Sequence, residues 1–267
     1  MAASNTIPSK IVLVTGANQG LGLAVIESAG LRSPNDTYIL CSRDIEKGNS
    51  AITHVREAGV KANLDLVQLD VTNDDQIAAA VRYVETKYGR LDVLVNNAGF
   101  VRLNEHNTEL SAIRATFNEY MNVHVTSVAV ITHAFTPLLH RSISPRVINV
   151  SSGLGSITNV LSPRRMGRIP SYGASKVGMN GLTAHLQVAE NDRVADTGPE
   201  NDSRPRIRFF ISNPGVLKTS FSNYVAWGKD PLTGAESIVQ LLGDDEGKFD
   251  HGMQWEFEDG EMRIVSW

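Results

Sequence analysis

The sequence predicts a single α/β domain, in which a doubly wound, mostly parallel sheet carries helices on both faces. Seven short apolar, β-branched segments recur along the 267 residues, and longer segments with helical spacing separate them. The short segments are continuously apolar, which is typical of strands that are buried on both faces. Hydrophobic residues make up 42% of the chain, which is enough for a sizeable core, and a single domain spanning residues 1–267 is predicted.

The predicted elements alternate along the whole chain. The strands are IVLVT at 11, TYILC at 37, LDLVQLD at 64, LDVLVN at 91, PRVINVSS at 145, IRFFIS at 207 and MQWEF at 253. The clearest helical segments are LGLAVIESAGL, DDQIAAAVRYVETKYG, YMNVHVTSVAVITHAFTPLLHR and YGASKVGMNGLTAHLQVAE. Residues 190–205 are polar and contain proline and glycine, which predicts an exposed loop between a helix and a strand.

Composition narrows the classes of partner and compartment. The formal net charge is −4 and the basic segment PRRMGR at 163–168 is short, so a nucleic-acid partner is not expected. The single cysteine, Cys41, excludes an internal disulfide and fits a reducing compartment. No apolar run reaches the roughly 18 residues of a membrane span, and neither end matches a targeting or lipidation signal. A cytoplasmic protein without a membrane partner is predicted.

A glycine-rich turn follows the first predicted strand. Its spacing is TGxxxGxG, formed by Thr15, Gly16, Gly20 and Gly22, and it differs from the common GxGxxG pattern. Such a turn lets the backbone approach a pyrophosphate and directs the N–H groups of the next helix toward it. A tight strand-to-helix connection with close packing is the alternative.

Five motifs together resemble the short-chain dehydrogenase/reductase family. They are TGANQGLG, NNAG at 96–99, NVSSG at 149–153, SYGASK at 171–176 and NPGVLKT at 213–219, in the order and rough spacing of that family. GAESIVQLL, HGMQWEF and the last Trp resemble its carbonyl reductase branch. The resemblance covers nearly the whole chain and implies one Rossmann-type domain with a seven-stranded sheet.

The end of the second strand bears on the choice of nicotinamide cofactor. Ser42 of LCSRD stands where NAD-preferring members of the family carry Asp, and Arg43 follows it. A guanidinium offers forked donors to a 2′-phosphate and stacks on adenine, so NADP(H) is predicted. The alternative for Arg43 is a solvated strand-end residue. Asp44 either pairs with Arg43 or caps the next helix.

The resemblance implies further cofactor contacts along the chain. These are Gly16, Asn18, Gly20, Leu21 and Gly22 in the turn, Asp70 and Val71 beside the adenine, Asn97, Ala98 and Gly99 on the adenosine side, and Pro214, Gly215, Val216 and Thr219 near the nicotinamide and pyrophosphate.

Tyr172 and Lys176 are four residues apart and share a face if the segment is helical. A free phenol has a pKa of about 10, and a cation within roughly 4–6 Å lowers that pKa. Tyr172 is therefore predicted to act as general acid in reduction and general base in oxidation. The resemblance implies that both residues also contact the cofactor, Lys176 through the nicotinamide ribose. Taken alone, the pair is also a common surface arrangement.

The resemblance completes the catalytic group with Ser152 and Asn122. Ser152, the second serine of NVSSG, is predicted to hold the substrate carbonyl oxygen, whereas Ser151 is interpreted as a strand-end residue. Asn122 matches the fourth catalytic residue of the family, whose side chain holds a helix kink and a water that relays protons to Lys176. Its alternative is a helix-interior Asn bonded to its own backbone. His124 is interpreted as a core or interface histidine, and no His spacing indicates a catalytic metal.

A substrate lid is predicted at about 216–235, after the sixth strand. Phe221, Tyr224 and Trp227 are its aromatic residues, with core packing as their alternative. Leu154 belongs to the segment 153–171, which is predicted to form one wall of the substrate mouth. Large apolar side chains in such a place favour a bulky, partly aromatic carbonyl compound.

The function predicted is NADPH-dependent reduction of a ketone or aldehyde to an alcohol. An NADP-dependent alcohol dehydrogenase working by oxidation uses the same residues and stays open. The alternative from a different functional class is a non-catalytic NADP-binding sensor. Such a sensor would be expected to lack Tyr172, Lys176 or Ser152, and all three are present. A homodimer or homotetramer is predicted through the small residues of two helices, and the carbonyl-reductase-like end of the chain favours a monomer instead. The small residues are Ala129, Gly178, Gly181 and Ala184.

Overall fold

A computed structural model describes residues 9–103, 107–162 and 169–267, with only the backbone described for 197–201. The basic segment 163–168, and with it part of the predicted wall of the substrate mouth, lies outside the described residues.

The described chain forms one sheet with the strand order β3-β2-β1-β4-β5-β6-β7-β8. Its strands are β1 (Ile11–Val14), β2 (Thr37–Ser42), β3 (Asn63–Gln68), β4 (Val93–Asn96), β5 (Arg146–Val150), β6 (Arg208–Asn213), β7 (Gln254–Glu258) and β8 (Glu261–Val265). The first seven pair in parallel, and β8 pairs antiparallel with β7. The predicted fold class is confirmed, and the C-terminal hairpin adds an eighth strand to the seven expected.

Helices cover both faces of this sheet. They are α1 (Gly20–Arg32), α2 (Ile45–Glu57), α3 (Asp74–Tyr88), α4 (Leu110–Met121), α5 (Ser127–Leu139), α6 (Ile157–Leu161), α7 (Pro170–Asn201) and α8 (Pro231–Leu242). A π-helical turn over Asn122–Thr126 joins α4 to α5. Alternate residues of β1 face two separate cores: Val12 and Val14 pack with α1, α2 and α8, whereas Ile11 and Leu13 pack with α3 and α5. In the described ranges, no helix is long and apolar enough to cross a membrane.

Helix α7 is longer than its sequence pattern indicates, so the exposed loop predicted at 190–205 is wrong as far as Asn201, and only the residues from 202 connect the helix to β6. The helix continues to Asn201 because its polar residues bind one another. Glu190 accepts from Arg193 at 2.6 Å and from the backbone N–H of Ile207 at 2.9 Å. Arg193 also donates to Asp202 at 2.6 Å, so the charged residues fasten the end of α7 to the start of β6.

The strand order places the ends of several strands at one functional edge. β1 lies between β2 and β4, so the connections after β1 and β4 leave in opposite directions and open a crevice at the carboxyl ends of these strands. The turn after β1 and the segments after β4, β5 and β6 all begin at this edge. The predicted site residues follow these strand ends.

Candidate active site at the carboxyl edge of the sheet

The glycine turn after β1 packs against the segment after β4. Gly16 and Gly20 have φ of 61° and 58°, which is the left-handed region. A Cβ on Gly16 would lie 2.9 Å from the Cα of Ala98, and one on Gly22 would lie 2.5 Å from Nδ2 of Asn97. The protein itself therefore fills the space that these two glycines leave, so the close-packing alternative holds for both of them.

Asn97 fastens the glycine turn to β4. Its Nδ2 donates to the carbonyl oxygen of Thr15 at 2.8 Å and to that of Gly16 at 3.0 Å. The Thr15 hydroxyl in turn accepts from the backbone N–H groups of Asn97 and Ala98, at 2.9 and 3.0 Å. These bonds hold the turn in one shape, so its exposed N–H groups do not need to reorganise around a ligand.

The N-terminus of α1 is open toward this turn. Its N-cap residue, Gln19, makes no side-chain cap hydrogen bond, and the first turn holds no acidic residue. By contrast, side chains cap α2, α3 and α8, through Asp44, Asn73 and Asp230 respectively. Uncapped N–H groups and the helix dipole favour an anion, so this end of α1 fits the pyrophosphate of a dinucleotide.

At the end of β2, Ser42 and Arg43 have different surroundings. Ser42 is buried, and its hydroxyl donates to the carbonyl oxygen of Asp44 at 2.7 Å. Of the two roles left open for Asp44, the structure shows the helix cap. Arg43 is exposed, and among the described residues its guanidinium makes no ion pair within 4.0 Å. That cation is therefore accessible to a phosphate.

Asp70 and Val71 follow β3 beside Arg43. Val71 is buried, whereas Asp70 is half-buried and accepts from the N–H and the hydroxyl of Thr72. Burial raises the pKa of Asp70, but the Thr72 hydrogen bonds and the Arg43 charge outweigh burial and hold that pKa below its usual range. Asp70 therefore carries a negative charge at neutral pH.

The other residues predicted to contact the cofactor lie along the same edge. Asn18 and Leu21 are half-buried in the turn and the first turn of α1, Gly99 is exposed after β4, and after β6 Pro214 and Thr219 are buried while Gly215 and Val216 are exposed.

The structure brings Ser152, Tyr172 and Lys176 together. Tyr172 and Lys176 lie in the first two turns of α7 and are only 6% and 5% exposed. The Nζ of Lys176 lies 5.7 Å from the centroid of the Tyr172 ring and donates to the carbonyl oxygen of Val150 at 2.7 Å. The hydroxyl oxygen of Ser152 accepts from the N–H of Leu154 at 3.2 Å, and Ser152 lies close enough to Tyr172 to affect its pKa. The surface-pair alternative for Tyr172 and Lys176 is excluded by their burial.

Burial sets the protonation of this group. It raises the pKa of Tyr172, against the opposing effect of Ser152, and it lowers the pKa of Lys176 to about 7. The net direction for Tyr172 is opposite to the lowering predicted from Lys176, because removal from water disfavours the charged form of both groups. Tyr172 is therefore a protonated phenol at neutral pH, which is the form that can donate a proton.

A buried polar network supports the segment that carries Ser152. Ser151 donates to Asn180 Oδ1 at 2.6 Å, which agrees with its interpretation as a structural residue. Asn180 donates to Gln254 Oε1 at 3.0 Å, and Gln254 donates to the carbonyl oxygen of Ser152 at 3.1 Å. The sequence interpretation missed Asn180 and Gln254, although each is a polar residue inside a predicted apolar element.

The structure does not bring Asn122 to this group. Asn122 is exposed at the start of the π turn, and its backbone carbonyl accepts from Ser127 at 2.9 Å. Residues two apart on a helix point to opposite sides, so His124 points inward instead. His124 is 1% exposed, and its ring meets that of Tyr172 edge-on at 5.5 Å between centroids.

The segment predicted as a lid begins as a closed loop after β6. Lys218 N–H donates to the carbonyl oxygen of Lys229 at 2.8 Å, and Lys229 N–H donates to that of Val216 at 2.9 Å. These bonds join the two ends of the loop, and α8 then begins at Pro231, so the last residues of the predicted lid are helical.

One aromatic residue of this loop packs against Tyr172, and two are largely exposed. Phe221 lies 6.0 Å from the Tyr172 ring between centroids. Tyr224 and Trp227 are 62% and 74% exposed, which excludes core packing for these two. Half-buried Leu154 lies in the segment after β5 that also carries Ser152. Phe221 thus borders Tyr172 on the side of the loop.

A parallel sheet that presents an open helix N-terminus and a Ser–Tyr–Lys group with buried Tyr and Lys at one edge defines a dinucleotide-dependent oxidoreductase. A family model described as short chain dehydrogenase matches residues 10–226. A short-chain dehydrogenase/reductase of Aspergillus fumigatus is 75% identical over 259 residues, which cover 97% of this chain and 98% of that protein. The chain belongs to the short-chain dehydrogenase/reductase family, whose members act on carbonyl and alcohol groups with a nicotinamide cofactor.

Two solved structures show the same architecture. The NADPH-bound carbonyl reductase from chicken fatty liver superposes with a TM-score of 0.78 at 25% identity, covering 98% of this chain and 100% of that one. The carbonyl reductase Sniffer of Drosophila melanogaster superposes with a TM-score of 0.76 at 24% identity, covering 97% and 100%, and shows the fold alone. The resemblance seen in the sequence motifs is confirmed.

Proposed function

We propose that this protein reduces a ketone or aldehyde to an alcohol with NADPH. The observation that carries the proposal is the group formed by half-buried Ser152 with buried Tyr172 and Lys176 at the carboxyl edge of the sheet, with Tyr172 in its protonated form. The likeness of this chain to a carbonyl reductase that was solved with NADPH supports NADPH as its cofactor.

The chain's own residues fit a dinucleotide that lies across the crevice. The open N-terminus of α1, from Gly20, would take the pyrophosphate, and the exposed Arg43 would take the 2′-phosphate of NADP. Lys176 would bind the nicotinamide ribose, and Thr219 would meet the nicotinamide end. When bound, the cofactor supplies a hydride to the carbonyl carbon.

Three side chains would then act on the carbonyl oxygen. Ser152 donates a hydrogen bond to that oxygen and steadies the negative charge that develops there. Tyr172 donates its phenolic proton to the same oxygen, which completes the alcohol. Lys176, when protonated, stabilises the phenolate that remains, and the burial of Tyr172 and Lys176 keeps water away from the transfer.

The surroundings of Tyr172 support a substrate class. Tyr172 is protonated at neutral pH and can donate the proton that reduction needs, and the same residues would serve an alcohol dehydrogenase in the reverse direction. Phe221 beside Tyr172, with exposed Tyr224 and Trp227, favours a bulky, partly apolar carbonyl compound. A sensor without catalysis is disfavoured because Ser152 and Lys176 complete the group.

The test is NADPH oxidation, followed by its near-ultraviolet absorbance, with a panel of ketones and aldehydes. Tyr172→Phe is expected to lose about 10²- to 10⁴-fold in kcat while still binding NADPH in calorimetry. Tyr83→Phe removes the same hydroxyl from α3, where Tyr83 donates to Asp65 at 2.8 Å, and serves as the matched control. The proposal would be contradicted if the wild type failed to oxidise NADPH with any carbonyl compound of the panel. A fully active Tyr172→Phe would contradict it as well.

A further inference from the structure

His124 is a buried titratable residue that the proposed chemistry does not use. It lies in the middle of the π turn that joins α4 to α5, and both of its ring nitrogens have partners. The backbone N–H of Phe100 donates to Nε2 at 3.2 Å, and Nδ1 lies 2.8 Å from the hydroxyl oxygen of Ser175. The imidazole thus connects the segment after β4 with the first turns of α7.

These partners determine where the imidazole proton lies. A backbone N–H can only donate, so Nε2 of His124 is the acceptor and Nδ1 carries the proton. Nδ1–H then donates to Ser175, whose hydroxyl donates in turn to the carbonyl oxygen of Tyr172 at 2.7 Å. Burial and the Lys176 charge lower the pKa of His124 to about 2, so the ring is neutral at physiological pH.

The ring also limits the position of the Tyr172 side chain. The planes of the two rings are 85° apart, with the centroids 5.5 Å from each other. The segment after β4 packs closely against the imidazole. A Cβ on Gly99 would lie only 2.9 Å from Nε2 of His124. His124 therefore cannot move away from Tyr172 without disturbing that segment.

We propose that His124 is the positioning residue for Tyr172. Through Ser175 it sets the backbone at Tyr172, and through its ring it sets the side on which the phenol lies. This role rests on the proposed reduction, in which Tyr172 must reach the carbonyl oxygen. It differs from the role predicted for Asn122, which is exposed two residues earlier.

Two substitutions separate the two contacts. His124→Asn keeps a donor at the place of Nδ1 but removes the ring, whereas His124→Phe keeps a ring and removes both hydrogen bonds. For His124→Phe, kcat is expected to fall about 10- to 100-fold because the proton donor is misplaced. The KM of the ketone and the affinity for NADPH are expected to stay within about twofold, because neither is held by His124.

The hydrogen-bond chain gives a second, independent readout. Ser175→Ala is expected to lower kcat as well. The double variant with His124→Phe is expected to have the same kcat as His124→Phe alone, because both substitutions remove the same hydrogen bond between His124 and Ser175. His124→Asn is expected to recover part of the lost kcat, and this recovery is lost in the Ser175→Ala background. His133→Phe, an exposed substitution on α5, is the matched control and is expected to leave kcat unchanged.

Nuclear magnetic resonance of the imidazole nitrogens tests the same arrangement without turnover. His124 is expected to show a protonated Nδ1 and no titration between pH 5 and pH 9; a protonated Nε2 or a titrating ring overturns the proposal. An active wild type whose kcat survives His124→Phe overturns the positioning role alone. A wild type inactive on every carbonyl compound overturns the proposed function together with it. If His124→Phe fails to fold, an undiminished kcat in Ser175→Ala overturns the role.

Discussion

Replacing Lys176 by methionine is expected to stabilise the protein at pH 6, although it removes a residue of the proposed catalytic group. Burial lowers the pKa of Lys176 from 10.5 to about 7, so below pH 7 the folded protein holds a buried ammonium. A difference of that size corresponds to an unfavourable free energy of about 5 kcal/mol. Methionine keeps the length and apolar stem of the side chain but carries no charge.

The sign of the pH dependence follows from proton binding. Between pH 7 and pH 10.5 the unfolded chain keeps the Lys176 proton while the folded protein has released it, so the wild type becomes more stable as the pH rises. The variant lacks this titration. It also loses the hydrogen bond to the carbonyl oxygen of Val150, which costs about 1–3 kcal/mol at any pH.

The expected result is a stability difference that changes with pH. Lys176→Met should be about 2–4 kcal/mol more stable than the wild type at pH 6, and this advantage should shrink by about 3 kcal/mol at pH 9.5. Urea unfolding followed by circular dichroism measures both values. The neighbouring His124 does not titrate in this range, since its pKa is about 2.

Lys61→Met serves as the control, because Lys61 is exposed and its removal should give no such pH dependence. A stability difference between Lys176→Met and the wild type that is the same at pH 6 and pH 9.5 would refute the reasoning. It would mean that the buried Lys176 side chain keeps its proton, or reaches water, over the whole range.

Three further predictions concern the cofactor, the lid and the assembly. Arg43→Ala should weaken NADPH binding by about 1.5–3 kcal/mol, or roughly 10- to 150-fold, without weakening NADH binding; a calorimetric preference equal to that of the wild type counts against it. Trp227→Ala should raise the KM of a bulky ketone by an amount matching about 1–3 kcal/mol, with NADPH affinity within about twofold; unchanged kinetics in a less stable protein would show a structural role instead. Light scattering should show a dimer or tetramer, joined where Gly181 leaves open space on α7, and a mass of 29.0 kDa would contradict it.

Sequence patterns predicted the strands that are buried on both faces, because such strands are continuously apolar. The last strand, β8, has three exposed residues and two charged ones, so its composition is unlike that of the others. The pair Asp259–Gly260, with φ of 52° and 86°, is a short hairpin turn that could have predicted it. Residues 190–205 were misjudged because polarity alone does not show that charges pair with each other.

For the site, the family resemblance of the motifs predicted that Ser152 meets Tyr172 and Lys176, and the four-residue spacing predicted only that Tyr172 and Lys176 share a helix face. Two features depended on three-dimensional surroundings. The choice between Asn122 and His124 depends on which side of the π turn faces inward, and the two residues lie on opposite sides of one helix. The direction of the Tyr172 pKa depends on burial, which no short motif contains.

Deuterium transfer tests the central claim most directly. NADPH carrying deuterium at both nicotinamide C4 positions is incubated with a ketone that the protein accepts, and the alcohol is analysed by mass spectrometry. The proposed reduction predicts one deuterium on the carbinol carbon, formed by the wild type and almost absent with Tyr172→Phe. An alcohol without deuterium, or oxidation of NADPH without any alcohol, would contradict it.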